Sequence, residues 1–232
     1  MNSKLSPIKG HLPEWIVEDK ELTTALAHAA TLEEWKNPTL WIVKAQDPCI
    51  VLGSSEREKP FIDFSYLEKE GLSITSRRSG GGAVLVVPDD LLWVDIFIPR
   101  ISPLWEEDVK RSALWIGEVW LKAMQSISVS GTMHTESMER SPLSDLVCFA
   151  GKAPGEIFLN GRKIVGISQR RSRQGTRYQC ALVLKWEPKH LVNAFKAAPV
   201  ANIAQRIQSC GPNADCGRQD AIDALMKQLS IR

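Results

Sequence analysis

The order of apolar and polar residues along the chain predicts a fold that mixes short strands with helices. Apolar runs bounded by turn residues predict strands at 39–43, 49–53, 72–75, 83–87, 91–98 and 178–184. Apolar residues that recur at three- and four-residue steps predict helices at 18–32, 106–127, 189–196 and 220–228. In the longest of these, a stripe running from Val109 to Met124 is expected to face the core.

The remaining segments suggest how the chain is divided. Residues 1–17 are rich in proline and glycine and are predicted to form an extended N-terminal arm. Residues 128–144 lack periodicity and are predicted to be a loop. Residues 187–232 are predicted to form a short helical C-terminal part that is too small for an accessory domain. We therefore expect a single domain over 1–232.

The composition narrows the class of protein. A hydrophobic content of 44% is enough for a core, and 29 basic against 27 acidic residues leave a net charge of only +2, which gives no reason to expect nucleic acid as a partner. The five cysteines are an odd number, and the chain shows no signal peptide and no apolar run of membrane length. We therefore expect a cytoplasmic protein with no membrane partner. The spacing of Cys210 and Cys216 is poor for zinc, so no metal site is predicted.

The glycine loop, residues 77–84, combines a permissive backbone with positive charge. Its members are Arg77, Arg78, Ser79, Gly80, Gly81, Gly82, Ala83 and Val84. Consecutive glycines let a ligand approach backbone N–H groups, and guanidinium groups suit phosphate or carboxylate, so we predict an anion site. The loop has neither the Lys-Ser/Thr pair of a P-loop nor the glycine spacing of a dinucleotide-binding turn. The alternative is a glycine-rich hairpin connection with two solvated arginines.

A second motif surrounds Lys163. The Asn-Gly dipeptide at 160–161 predicts a hairpin turn, and the strand after it is expected to alternate its side chains between two faces. Regular alternation places Lys163 on the face of Val165, and Gly166 with Ser168 on the other. Lys163 is then either a charge that serves the ligand of the glycine loop or an ordinary surface lysine on an edge strand.

Together, Arg-Arg-x-Gly-Gly-Gly-Ala-Val at 77–84 and Gly-Arg-Lys-Ile-x-Gly at 161–166 resemble motifs of the lipoate-protein ligase, octanoyltransferase and biotin-ligase superfamily. The resemblance covers about residues 35–190. It implies an α+β fold like the catalytic core of class II synthetases and biotin ligases, with a mixed β-sheet packed with helices. It also implies that Gly166 and Ser168 contribute to substrate or nucleotide binding.

The resemblance implies that lipoate or octanoate is attached to a lysine of a lipoyl carrier domain, of the glycine cleavage H protein or 2-oxoacid dehydrogenase E2 type. In the ligase version, ATP with Mg²⁺ activates the acyl group as an acyl-adenylate. Backbone N–H groups from Gly80 to Ala83 would bind carbonyl and phosphate oxygens, and Arg77 and Arg78 would neutralise phosphate. Lys163 would stabilise the charge that develops in both steps.

Two alternatives remain open. Residues 145–151, predicted to form an apolar strand, resemble the Cys-Phe segment of cysteine-dependent octanoyltransferases, whose nucleophile falls on Cys148. That enzyme would take an octanoyl group from an acyl carrier protein without ATP, although a cysteine in an apolar strand is commonly an inert small residue. The second alternative is a non-catalytic acyl- or nucleotide-binding protein. Two motif histidines are absent, since 85–88 and 180–181 read Leu-Val-Val-Pro and Cys-Ala.

Overall fold

The structure, a computed structural model, describes residues 13–231, so most of the predicted N-terminal arm lies outside the described residues. The strands are β1 (Ile16–Leu22), β2 (Thr39–Ala45), β3 (Cys49–Leu52), β4 (Ser73–Ser76), β5 (Val84–Val86), β6 (Leu91–Pro99), β7 (Thr132–Met133), β8 (Ile157–Leu159), β9 (Arg162–Arg171) and β10 (Gly175–Val183). The α-helices are α1 (Thr24–Ala29), α2 (Phe64–Glu70), α3 (Val109–Ser126), α4 (Pro142–Leu146), α5 (Lys189–Ala194), α6 (Ile203–Gln208) and α7 (Arg218–Gln228). Two 3₁₀ turns occupy Lys59–Phe61 and Cys148–Ala150.

The main sheet has seven strands in the order β1-β2-β6-β10-β9-β8-β7. Only its first pair, β1 with β2, is parallel, and the other neighbours are antiparallel, so the sheet is mixed. Strand β6 is buried at all nine positions because it lies inside the sheet and both of its faces are covered. A smaller sheet has the strand order β4-β3-β5, and the glycine loop connects β4 to β5 across one end of this sheet.

Two apolar cores lie on opposite faces of the main sheet. One core packs α3 and α7 against the sheet, and its largest member is the fully buried Trp120. The other core lies between the main sheet, the small sheet and the short helices α5 and α6, and it includes Trp93 and Phe195. The predicted stripe of α3 is confirmed over Ile116 to Met124, but its first member is wrong, since Val109 is 59% exposed.

The buried pair of Arg177 and Asp95 joins the sheet to the helix before β2. Asp95 is fully buried on β6, and it accepts hydrogen bonds from the Arg177 guanidinium and from the Trp93 indole N–H. The same guanidinium donates to the carbonyls of Ala27 and Ala30 at the end of α1. One buried cation therefore satisfies carbonyls that the end of a helix leaves unpaired.

The predicted helix at 18–32 is wrong in its first part. Residues 16–22 form β1, which pairs in parallel with β2 over its whole length, and α1 begins only after Thr23. The Thr23 hydroxyl accepts the amide of Leu26 and so caps the helix. Strand pairing at the edge of the sheet overrides the weak helical pattern here, because strand formation depends on neighbours more than on intrinsic preference.

Two further predictions around Cys148 are wrong. The predicted loop at 128–144 contains β7 and the start of α4, and Ser141 and Ser144 form a reciprocal capping box at that start. Residues 145–151 do not form a strand: α4 ends at Leu146, and Cys148 begins a 3₁₀ turn. The Ser141-Pro142 pair was the sequence signal for this helix.

We expect Asp95→Asn to lower the free energy of unfolding by about 3–5 kcal/mol, because it leaves the Arg177 charge buried without a counter-charge. Urea denaturation measures the change. The control is Glu21→Gln, which removes one partner of an ion pair with Lys44 in which both side chains are 62% exposed. That substitution should cost less than about 1 kcal/mol. Equal losses in the two variants would contradict the stabilising role of the buried pair.

Candidate active site

A cavity of about 720 Å³ opens between the glycine loop, the pocket-facing side of β9 and β10, and the Cys148 segment, which we define as residues 146–156. Its floor is largely apolar and includes Val51, Val86, Leu91 and Trp93. The predicted site residues that line it are Arg77, Ser79, Gly80, Gly81, Gly82, Val84, Cys148, Lys163, Gly166 and Ser168. The fold therefore brings two distant motifs to the wall of one cavity.

The glycine loop is not a hairpin connection, so that alternative is wrong. Strands β4 and β5 do not pair with each other, because β3 lies between them and pairs with both. The loop therefore crosses the end of β3, where it packs on Gly53. A Cβ atom at Gly53 would lie 1.9 Å from the Gly81 carbonyl oxygen, so this position accepts no side chain. The Gly53 amide is fixed by the fully buried Glu58 carboxylate at 2.6 Å.

The two arginines of the loop have different positions. Arg77 is 5% exposed, and its guanidinium donates to the carbonyls of Gly80 and Gly82 at 2.8 and 2.9 Å and to Val51 at 3.3 Å. The Arg77 side chain therefore stabilises the curved conformation of the loop and does not extend into the solvent. Arg78 is exposed, and no carboxylate of residues 13–231 lies within ion-pair distance of it.

The end of the glycine loop is bonded to the Cys148 segment through the main chain. The Ala83 amide donates to the Leu146 carbonyl at 2.8 Å, and the Cys148 amide donates to the Ala83 carbonyl at 2.9 Å. The approach requires Gly82, since a Cβ there would lie 2.6 Å from the Val147 nitrogen. The Ala83 amide is consequently not free for a ligand, which differs from its predicted role.

Cys148 is a half-buried free thiol beside the turn of the loop. A Cβ atom built on Gly81 would lie 3.4 Å from its sulfur, and Gly81 has a φ of 102°, in the left-handed region. Within residues 13–231 we find no protein acceptor for the amides of Gly80, Gly81 and Gly82. Free backbone donors and a thiol therefore meet at the cavity wall.

Lys163 is almost completely buried, at 2% exposure, so it is not a surface lysine. The predicted face is wrong, because β9 carries a bulge: Phe158 pairs with Lys163 while Ile157 pairs with Val165, which leaves one extra residue on β9. The bulge turns Lys163 to the cavity side, together with Gly166, whose built Cβ would lie 3.8 Å from the lysine side chain.

Sequence reasoning missed Glu156, the ionic partner of Lys163. The two side chains meet at 2.7 Å, and Glu156 is 3% exposed. Burial raises the pKa of Glu156, and the Lys163 ammonium opposes that rise. Lys163 also donates to the Cys148 carbonyl at 2.9 Å. No local pattern marked this glutamate, because its partner lies beyond a turn and a bulge.

His28 and Gln179 give the cavity a polar corner. The His28 ring stacks near Trp93 with centroids 4.5 Å apart, and its Nδ1 lies 3.2 Å from the Gln179 amide nitrogen. Burial, followed by the nearby charges of Arg177 and Arg77, lowers the pKa of His28 to about 3. The imidazole is therefore neutral in the folded protein at neutral pH. Sequence reasoning missed both side chains.

The hydroxyls of Ser79 and Ser168 are buried, and neither has a hydrogen-bond partner in the described structure. Across residues 13–231 we find no group of three or more His, Cys, Asp or Glu side chains arranged to hold a metal ion. The helices in that range include none that is long and apolar enough to span a membrane.

Comparisons with known proteins agree with these motifs. The family model described as lipoyl protein ligase A/B catalytic domain matches residues 19–230. The octanoyltransferase LipM of Clostridioides difficile (strain 630) is 24% identical over 200 residues, which cover 83% of this chain and 72% of that protein. An octanoyl-[GcvH]:protein N-octanoyltransferase of Bacillus velezensis is 30% identical over 156 residues, but these cover only 49% of that protein and 64% of this chain.

Among solved structures, the bipartite lipoate protein ligase of Thermoplasma acidophilum, studied with its E2 lipoyl domain, has a TM-score of 0.67 at 14% identity. The match covers 93% of this chain and 85% of that one. The likeness confirms the predicted α+β fold with a mixed sheet packed with helices.

We expect Gly81→Ala to destabilise the protein by about 1–2 kcal/mol, because a side chain at this left-handed φ is strained and its Cβ would lie 2.9 Å from the Arg77 guanidinium. It should also slow alkylation of Cys148, as followed by mass spectrometry. The matched control is Gly80→Ala, where an added Cβ meets no atom within 4 Å. A Gly81→Ala variant that behaves like this control would contradict the close packing of loop and thiol.

We expect His28 to make the protein less stable in acid. In the unfolded chain His28 takes up a proton near its ordinary value of 6.5, whereas the folded protein resists protonation down to about 3. The free energy of unfolding should therefore fall between these values by up to about 1.4 kcal/mol per pH unit from this group. Urea denaturation across this range should give a shallower pH slope for His28→Gln. An unchanged slope would contradict the assignment.

Proposed function

Because the chain belongs to the lipoyl protein ligase A/B catalytic domain family and is therefore an acyl-transferring enzyme, we propose that it passes an octanoyl group through Cys148. The donor is a thioester of an acyl carrier protein, and the acceptor is a lysine of a lipoyl carrier domain. The observation that carries the proposal is the position of the Cys148 thiol, at the cavity wall beside Gly81 and in a segment bonded to both the glycine loop and Lys163.

The apolar floor of the cavity fits the hydrocarbon part of the substrate. Side chains such as Val51, Leu91 and Trp93 would surround the acyl chain, and each methylene removed from water contributes about 0.8 kcal/mol. Gly166 adds to this fit, because Phe149 lies directly over it, 3.5 Å from the position of a Cβ. A larger residue at this strand position would push Phe149 towards the space left for the chain.

The proposed reaction proceeds in two steps. The Cys148 sulfur attacks the carbonyl carbon of the donor thioester, the donor carbon–sulfur bond breaks, and the donor thiol leaves with the proton that Cys148 gives up. The neutral amine of the carrier lysine then attacks the carbonyl carbon of octanoyl-Cys148, the carbon–sulfur bond to Cys148 breaks as the amide forms, and the Cys148 sulfur takes the proton that the amine loses. In each step negative charge develops on the carbonyl oxygen.

Backbone N–H groups of Gly80, Gly81 and Gly82 and the remaining N–H of Lys163 are suited to that oxygen. They are fixed before substrate arrives, because Arg77 holds the loop carbonyls and Lys163 is buried. Loss of one such donor typically costs about 3 kcal/mol of transition-state stabilisation, or roughly a hundredfold in rate.

The acceptor class is supported by two relatives. The Bacillus velezensis protein is named for octanoyl transfer with GcvH, and the Thermoplasma ligase was studied with an E2 lipoyl domain. We propose a lipoyl carrier domain of the same kind for this chain, with the glycine cleavage H protein as the first substrate to test.

The second candidate is the ATP-dependent ligase. It is favoured by Arg57, which lines the cavity, and by Arg78 and Arg170, which are next in sequence to the lining residues Arg77 and Gln169. None of these three arginines forms an ion pair within residues 13–231. Burial lowers the pKa of Arg170, and the Arg78 charge lowers it further, so an anion between them would be stabilised. These arginines fit the phosphates of ATP, which Mg²⁺ would accompany. The ligase ranks second because its predicted donors at Arg77 and Ala83 are already engaged.

We expect Cys148→Ser to lose octanoyl transfer from an octanoyl carrier thioester to H protein by at least about a thousandfold, since an alcohol is a far weaker nucleophile without a strong base. The parent protein should carry an octanoyl mass on the peptide that contains Cys148. The control is Cys216→Ser, a half-buried thiol away from the cavity. Pyrophosphate release from octanoate, ATP and Mg²⁺, with full activity in Cys148→Ser, would overturn the proposal in favour of the ligase.

A further inference from the structure

We propose that Glu156 is a positioning residue, which holds the Lys163 ammonium so that it fixes Cys148 under the glycine loop. The inference rests on the proposed transferase function and concerns a residue that neither motif contains. Lys163 contacts the Cys148 segment at two residues. Its Nζ lies 2.7 Å from the Glu156 carboxylate and 2.9 Å from the Cys148 carbonyl.

The Lys163 ammonium has three hydrogen-bond donors, and the protein engages two of them. The third remains for a substrate oxygen in the cavity, which Lys163 lines. The direction of this donor is determined by the other two. Glu156 is in turn fixed by the Ala153 amide, which donates to the same carboxylate oxygen at 2.8 Å. Loss of the carboxylate would therefore free the ammonium to rotate away from the Cys148 carbonyl.

The part of the segment nearest Glu156 has other attachments. Gly155 packs against α3, where a Cβ atom would lie 2.2 Å from the Ala113 carbonyl oxygen, and its amide donates to the His134 carbonyl. The Glu156 carbonyl accepts the His134 amide. These contacts do not involve the carboxylate, so they should remain when it is neutralised. A substitution that neutralises the Glu156 carboxylate should then displace Lys163 and Cys148 and leave the rest of the segment in place.

Glu156 is the group that balances the buried charge of Lys163. The titratable groups of the described chain next to the ammonium are Glu156, just before β8, and Cys210, in the loop after α6, whereas Cys148 contacts it through its main-chain carbonyl. Of these groups, only Glu156 carries a carboxylate. The Phe149 ring, 5.7 Å away, adds a weaker attraction. Without the carboxylate, the buried ammonium is left without its counter-charge.

The test compares the parent with Glu156→Gln in octanoyl transfer from a carrier thioester to H protein. We expect kcat to fall about a hundredfold, because a displaced catalytic group costs this much, while KM for the donor changes by less than about threefold. A purely structural role would instead lower the fraction of folded protein, as measured by urea denaturation, and leave kcat per folded enzyme unchanged. The control is Glu118→Gln on α3, which removes the acid of an exposed pair with Lys122 and should leave kcat unchanged.

A second variant keeps the test decisive if Glu156→Gln folds poorly. Glu156→Asp keeps a counter-charge for the buried ammonium, so folding should be retained, but its carboxylate is one methylene shorter and should draw the Lys163 Nζ away from the Cys148 carbonyl. A fall in kcat of about a hundredfold with folding retained supports the proposal, because the charge is still present and only its position has changed. Parent-like kcat in either variant overturns it. If the parent itself never acquires an octanoyl group on Cys148, the proposed function fails, which is a separate result from parent-like kcat in the variants.

Discussion

Two backbone hydrogen bonds, from the Ala83 amide to the Leu146 carbonyl and from the Cys148 amide to the Ala83 carbonyl, determine the geometry of the site. They bring the end of the glycine loop against the turn that carries the thiol. The loop must therefore contain glycine at Gly82, which has no space for a Cβ, and at Gly81, which has a left-handed φ. Arg77 completes this arrangement, because its guanidinium donates to the Gly80 carbonyl and to the carbonyl of the buried Gly82, which would otherwise lack this donor.

The same constraint explains why one site needs parts from both sheets. The small sheet supplies the glycine loop, and β9 of the main sheet supplies Lys163, which reaches the Cys148 carbonyl from the opposite side. The Cys148 segment is thus bonded through its main chain to two elements that are far apart in sequence. This arrangement leaves the thiol itself free, while its backbone is fixed. It is a form of preorganisation in which the hydrogen bonds are made by the backbone around the thiol and not by the thiol itself.

The sequence predicted those parts of the site that local chemistry marks. Three glycines beside arginines, and a lysine after an Asn-Gly turn, are recognisable without a structure, and both lie on the cavity. Gly53 and Glu156 were not predictable, because each is defined by a partner distant in the chain, the Gly81 carbonyl and the Lys163 ammonium. The face of Lys163 was mispredicted for a related reason. A bulge shifts the alternation of a strand, and the two-residue period alone does not reveal it.

The absence of the two motif histidines is compatible with a cysteine mechanism when the charges of the site are considered. His28 lines the cavity but stays neutral, with its Nδ1 directed at Gln179. Under the proposed function, positive charge near the reacting carbonyl comes instead from Lys163, which is paired with Glu156. An oxyanion needs a fixed donor more than it needs a titrating base. A thiol, unlike an alcohol, forms a nucleophilic anion without a strong base. The residues that remain therefore fit the proposed acyl transfer through sulfur, whereas a serine nucleophile would need a base that they do not supply.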